Sequence, residues 1–152
     1  AKPNIKFSSD FIIGYPGETE TDFQKTIELI EKTRFINSYS FIYSARPGTP
    51  ASQLVNVEKQ VAKKRLIELQ EVLENINTQS KNNFLNKFTE VLFENKMKNQ
   101  NKYFGRDKFL NAVVVESLKN LTGQILNVKI NNFNYNGFSG EIIDDENKIR
   151  VA

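Results

Sequence analysis

Neither cysteine nor histidine occurs in the 152 residues of this chain, and tryptophan is missing as well. Without cysteine these residues can form no disulfide and no thiolate-held iron–sulfur cluster. Without histidine they can form no imidazole-bound zinc site and no Ser-His or Cys-His nucleophilic pair. Long apolar runs are absent too. None approaches the ~20 residues needed to cross a bilayer, so no membrane partner is expected. The opening stretch AKPNIKFSSD has no initiator methionine and no apolar signal-peptide core, so a cytoplasmic chain that is part of a longer one is expected. Charge bias is weak, with 21 basic against 18 acidic residues and a net charge of +3. That is too mild to announce nucleic acid by itself, and nothing in it points to DNA.

What remains is a composition suited to folding. Hydrophobic residues make up 39% of the chain and charged residues 26%, which favours a folded protein of one domain or two small ones over a disordered segment. The organising stretch is residues 10–23, DFIIGYPGETETDF. Phe11, Ile12 and Ile13 read as a buried strand, residues 14–17 as a glycine-proline turn, and the acids Glu18, Glu20 and Asp22 as the start of a helix. Thr19 or Thr21 is its candidate cap. The helix, residues 22–34, places Phe23, Ile27, Leu29 and Ile30 to pack on a sheet. A second, aromatic-rich strand follows and runs into Arg46-Pro47-Gly48-Thr49-Pro50. Strand, helix and strand make one βαβ unit, whose two glycine-proline loops reach the same sheet edge.

Residues 58–84 read as one long helix. Ala62, Leu66, Leu69, Leu73, Ile76, Ser80 and Phe84 form its apolar stripe, and the polar residues 75–83 are weak helix formers that fray or bend. From residue 87 the period changes to that of strands. Five are expected, around Val91 to Phe93, at Tyr103 and Phe104, from Phe109 to Glu116, over residues 124–133, and from Phe138 to Ile143. Asn136-Gly137 is a tight-turn pair. Five short strands in ~65 residues suit a small barrel of the OB kind. Lysine and arginine outnumber acids over residues 87–129, while Glu141, Asp144, Asp145 and Glu146 form an acidic end. The basic stretch fits either an RNA-facing patch or a solvated surface, and the paired acids fit a solubilising turn better than a metal site.

Two separated motifs, DFIIGYPGETETDF and YSARPGTPA, are followed by KKRLIELQ, then by Phe104-Gly105-Arg106 and the stretch from Gly123 to Gly140. In this order they resemble the C-terminal part of the MiaB-type radical-SAM tRNA methylthiotransferases across nearly the whole chain. The resemblance implies an α/β piece, the last βα units of a radical-SAM TIM-like barrel, then a long helix, then a small all-β OB-like barrel of the TRAM type. The implied bounds are 1–56, 57–86 and 87–152. It implies a transferase that adds a methylthio group to C2 of isopentenylated adenosine beside the tRNA anticodon. Such an enzyme uses two 4Fe–4S clusters and S-adenosylmethionine. The cluster cysteines of the family have no counterpart here, so the chain alone is expected to be inactive, without catalytic or metal residues of its own. Its partners are expected to be tRNA, S-adenosylmethionine and the N-terminal portion of the same enzyme.

The resemblance also implies site residues. Gly14, Gly17, Glu18 and Arg46 would wall the S-adenosylmethionine site. Glu18 could accept from a ribose or cap its own helix, and Arg46 could pair with the cofactor carboxylate, an RNA phosphate or loop carbonyls. Tyr43 and Ser44 would line the same cavity. Tyr103, Phe104, Arg106, Lys108 and Lys129 would contact RNA, with Phe133, Tyr135 and Phe138 a second aromatic group. Asp107 stands where the family pattern leads one to expect threonine. Other readings are the branch acting on threonylcarbamoyladenosine, a stand-alone non-catalytic RNA-binding module, and an interaction fragment docking through its long helix. The arginine-proline pair of RPGTPA argues against the branch acting on a ribosomal protein.

Overall fold

The computed structural model describes residues 5–98 and 100–143, which belong to two units, Ala1–Ser80 and Lys81–Ala152. The acids Asp144, Asp145 and Glu146 lie outside the described residues.

In the first unit, β1 (Asp10–Ile13) and β2 (Tyr39–Ile42) pair in parallel with Phe11 opposite Ser40 and Ile13 opposite Ile42. Between them α1 (Glu20–Thr33) begins in a capping box: the Thr19 side chain accepts from the Asp22 N–H, and the Asp22 carboxylate accepts from the Thr19 N–H. Thr19, not Thr21, is therefore the cap. Left-handed Arg34 ends the helix, its N–H donating to the Ile30 carbonyl. The second helix, α2 (Lys59–Asn82), stays helical through the polar residues 75–82. Phe11 and Ile13 from β1, Phe23, Ile27 and Ile30 from α1, and Leu69 and Ile76 from α2 form one core. Leu29, counted with the apolar stripe of α1, is exposed. The opposite face of the two strands, with Ile12, Tyr39 and Phe41, is also exposed.

The second unit is a closed barrel of β3 (Phe88–Lys96), β4 (Lys102–Asp107), β5 (Ala112–Glu116), β6 (Ile125–Asn134) and β7 (Gly137–Ile142). The strand order is β3-β4-β5-β7-β6, every pairing antiparallel except the parallel β5–β7 seam. That arrangement is compatible with an OB-like barrel. Alternation sends Val91, Phe93, Tyr103, Val113, Val115, Val128, Ile130 and Phe138 inward. Phe84 is not part of α2. It lies in the turn that follows and plugs the barrel, edge-on to Phe109 and tilted against Phe138. Phe109, expected at the start of a strand, sits instead in the β4–β5 turn. The β6–β7 turn is shifted one residue from the expected pair. Tyr135 and Asn136 form it, flanked by Asn134 paired with Gly137.

Candidate functional site

The turn after β1 is tied to α2 by an ionic network centred on a buried arginine. Arg65 is only 6% exposed. It donates to Glu18 Oε1 at 2.7 Å, to the Glu18 carbonyl at 3.2 Å, and through Nε and Nη2 to Glu20 Oε2 at 3.2 and 3.0 Å. The other Glu18 oxygen accepts from the Gly14 N–H at 3.0 Å. Both oxygens of Glu18 are thus engaged inside the protein, and Thr19 rather than Glu18 caps α1. Hydrogen bonds from Gln24 and then Arg65 hold Glu20 below its usual carboxylate range, and those to Thr19 do the same for Asp22.

Gly14 has a packing role of its own. With φ +73°, a Cβ there would sit 2.8 Å from the Ala62 Cβ, so close packing on α2 requires glycine. Gly17, at φ +86°, has open space where its Cβ would lie. It and half-exposed Tyr15 are what this turn presents outward. The Tyr43 N–H donates to the Ile13 carbonyl at 2.8 Å, which brings the ends of β1 and β2 to the same edge. The Tyr15 and Tyr43 rings meet edge-on at 5.2 Å, and the Tyr43 hydroxyl is buried without a partner among the described residues. Arg46 follows on the same side. Its carbonyl accepts from the Thr49 N–H and hydroxyl, and its guanidinium is exposed with no hydrogen bond to the described residues.

On the barrel, the parity of β4 separates the predicted contacts. Tyr103 is 3% exposed and forms part of the core, so its ring has no free face for a base. Phe104 and Arg106 point outward on the alternate positions. The Arg106 guanidinium lies 5.3 Å from the Phe104 ring and is braced by Glu94 at 3.1 Å. Lys108 Nζ stands 5.3 Å from the Phe109 ring and is exposed. Lys129 is brought elsewhere: it lies on β6, opposite Phe88 and Glu141, with β3 between it and β4. Asp107 is inside. Its carboxylate accepts from the Phe109 and Asn111 N–H groups and from Asn111 Nδ2, all at 2.9 Å, which builds the turn displaying Lys108. Of the second aromatic group, Phe138 is core, Phe133 is half-buried and Tyr135 is 82% exposed. In the β3–β4 loop, Lys96, Met97, Lys98, Gln100 and Asn101 line an open concavity of about 500 Å³.

Arg65 and Lys81 are the side chains that reading the sequence passed over. Arg65 lies on the apolar stripe between Ala62 and Leu69, and a cation at a core-facing helical position is a signal that it has a buried partner. Among the described residues there is no group of acids able to hold a metal ion. With no cysteine in the chain, these residues do not fit an iron–sulfur cluster. No helix of the described residues is long and apolar enough to cross a membrane.

No protein-family model matches the chain. Among curated proteins it is 45% identical over 146 residues to the tRNA-2-methylthio-N(6)-dimethylallyladenosine synthase of Pelagibacter ubique, covering 96% of this chain and 33% of that protein. It is 43% identical to the synthase of the same name from Buchnera aphidicola and 41% identical to that of Vesicomyosocius okutanii, over 91% and 93% of this chain. The chain spans about a third of the length of these relatives, and the match is to their C-terminal part.

Proposed function

The chain belongs with the tRNA methylthiotransferases, whose C-terminal part it matches, and on that premise we propose that it serves an enzyme adding a methylthio group to C2 of isopentenylated adenosine next to the tRNA anticodon. The observation that carries this reading is the match itself, which runs through both units at 45% identity. The relatives named above share one substrate name, that of the dimethylallyl compound. This favours the isopentenyl branch over the threonylcarbamoyl one. In this reading the enzyme works on tRNA in the cytoplasm.

The first unit contributes to the wall of a radical-SAM barrel. Its two parallel strands, two free edges and exposed apolar face support that role, since such a sheet ordinarily pairs further. Toward S-adenosylmethionine the fit is divided. The Arg46 guanidinium, without a hydrogen bond to the described residues, suits the cofactor carboxylate, and open Gly17 beside Tyr15 suits close backbone approach. Gly14 and Glu18 act behind them, fixing the turn through Ala62 and Arg65. S-adenosylmethionine, with its cluster, supplies the radical chemistry when bound. Cluster ligands would have to come from outside this chain, because it has no cysteine.

The second unit is the tRNA grip. Lys108 and the lysines of the β3–β4 loop supply charge, and Phe104 beneath Arg106 supplies a flat surface. The test is tRNA binding by the 152-residue chain across a salt series. Micromolar or tighter binding is expected, with Lys108→Ala lowering the slope of log K against log salt by about 1. Arg106→Ala is expected to weaken binding with a smaller change in slope, because Glu94 already neutralises that charge. Absence of binding at low salt would overturn the reading of the barrel as an autonomous grip.

A further inference from the structure

We propose that the tip of the β6–β7 hairpin is a second RNA contact, in which Tyr135 stacks on an unpaired base and Lys81 is the residue that positions it. The inference rests on the tRNA reading of the barrel; of the three aromatics Phe133, Tyr135 and Phe138 it singles out Tyr135, and it adds Lys81, which the sequence did not assign.

The hairpin tip is held from beneath by a buried cation. Lys81 is 9% exposed, and its Nζ donates to the carbonyls of Asn134 at 3.2 Å and Tyr135 at 3.0 Å. From the other side the Asn134 side chain accepts from the N–H groups of Asn136 at 2.8 Å and Gly137 at 3.2 Å. Neither central residue of the turn has a positive φ, so side chains rather than a glycine turn fix its shape. Burying an ammonium group is costly unless it is paired, and here its partners are the backbone carbonyls of the turn itself. The result is a rigid loop whose most prominent feature is an aromatic ring.

That ring contributes little to the barrel. Tyr135 is 82% exposed, whereas its neighbours Phe133 and Phe138 pack inward and meet each other at 6.4 Å. Lys81 Nζ stands 6.0 Å from the Tyr135 ring centroid, so a cation steadies one side while the rest of the ring faces solvent. A phenol held on a fixed backbone, with an open face and flanked in the chain by Asn134 and Asn136, has the chemistry of a stacking platform for a base. The connection between the last two strands of OB-type barrels is one of the loops that carry oligonucleotide contacts. Because the Lys81 charge is spent on carbonyls, the contact is one of stacking and not of phosphate pairing.

The test is tRNA affinity of the 152-residue chain and its variants, each measured over a salt series. Tyr135→Ala is expected to weaken binding about 5- to 100-fold with an unchanged salt slope, and Tyr135→Phe to bind within about 3-fold of the unaltered chain. Lys81→Met, checked for an intact barrel by circular dichroism, is expected to weaken binding about 3- to 10-fold, also without a change of slope. In the double variant the Lys81 change is expected to add nothing, since a positioning residue has no effect once the ring is gone. If Lys81→Met unfolds the barrel, Lys81→Arg takes its place and is expected to keep most of the affinity. Unaltered affinity in Tyr135→Ala overturns the stacking site, and a slope reduced by Lys81→Met overturns the positioning role in favour of a phosphate contact. If the unaltered chain does not bind tRNA, the tRNA reading falls first. If it binds and Tyr135→Ala binds equally, only this inference falls.

Discussion

The barrel and the two-stranded sheet use similar strand sequences to opposite ends. In the barrel each strand has a neighbour on both sides, and the inward faces meet in a single core around Val91, Phe93 and Val113. In the sheet each strand has one, and Ile12, Tyr39 and Phe41 remain 53% to 67% exposed on the face away from the helices. Closure lets a small apolar core stabilise itself. The open sheet depends on its two helices and on a charged tie, Arg65 to Glu18, that holds strand end, turn and helix together.

The sharpest way to break this comparison is to damage each unit by its own mechanism. Phe93→Ala, which empties the centre of the barrel, is expected to cost about 3–5 kcal/mol in urea unfolding. Arg65→Met leaves the Glu18 carboxylate buried without its cation and is expected to cost about 3 kcal/mol. Part of that loss is expected to return in Arg65→Met with Glu18→Gln, because glutamine still accepts from the Gly14 N–H while removing the unpaired charge. Full recovery or none, seen in the same unfolding curves, would mean that the ionic tie does not hold the turn.

Smaller effects separate the two glycines of that turn. Gly14→Ala meets both the Ala62 side chain and a left-handed φ, and is expected to cost about 1–3 kcal/mol. Gly17→Ala meets only the φ and is expected to cost about 1 kcal/mol, leaving any ligand effect there to appear in S-adenosylmethionine binding. Smallest of all, Ile12→Thr on the open face is expected to change stability by no more than about 0.5 kcal/mol in the same unfolding curves. A large destabilisation by Ile12→Thr would show that this face is packed in solution.

The elements that a reader of the sequence could place are those with strong periodicity. Phe23, Ile27 and Ile30 mark one face of α1, the alternation of residues 124–133 marks β6, and both are where the pattern puts them. What the pattern could not decide was parity. Tyr103 and Phe104 are adjacent aromatics, and which one faces the core depends on a register that shifts between Phe93 and Asn95 on the partner strand. Phe109 has the apolar neighbours that mark a strand. Three hydrogen bonds to Asp107 and a left-handed Leu110, at φ +63°, take the segment out of the ladder instead. Glu18 looked like a helix-start acid. Only the fold reveals that α2 returns an arginine from 47 residues away to meet it.

The parallel seam between β5 and β7 has a consequence in time. β3, β4 and β5 can form a meander from near neighbours, but β3 must wait for β6 to pair Phe88 with Lys129, and β5 must wait for β7 to pair Val113 with Phe138. Contacts between distant parts of a chain form late because loop closure must precede their gain. On a growing polypeptide, the apolar faces of Val91, Phe93, Val113 and Val115 therefore stay uncovered until Gly137–Ile142 has been made. Pairing of that strand is expected to be a late step of folding, and the interval before it the one in which the nascent chain is most exposed to aggregation.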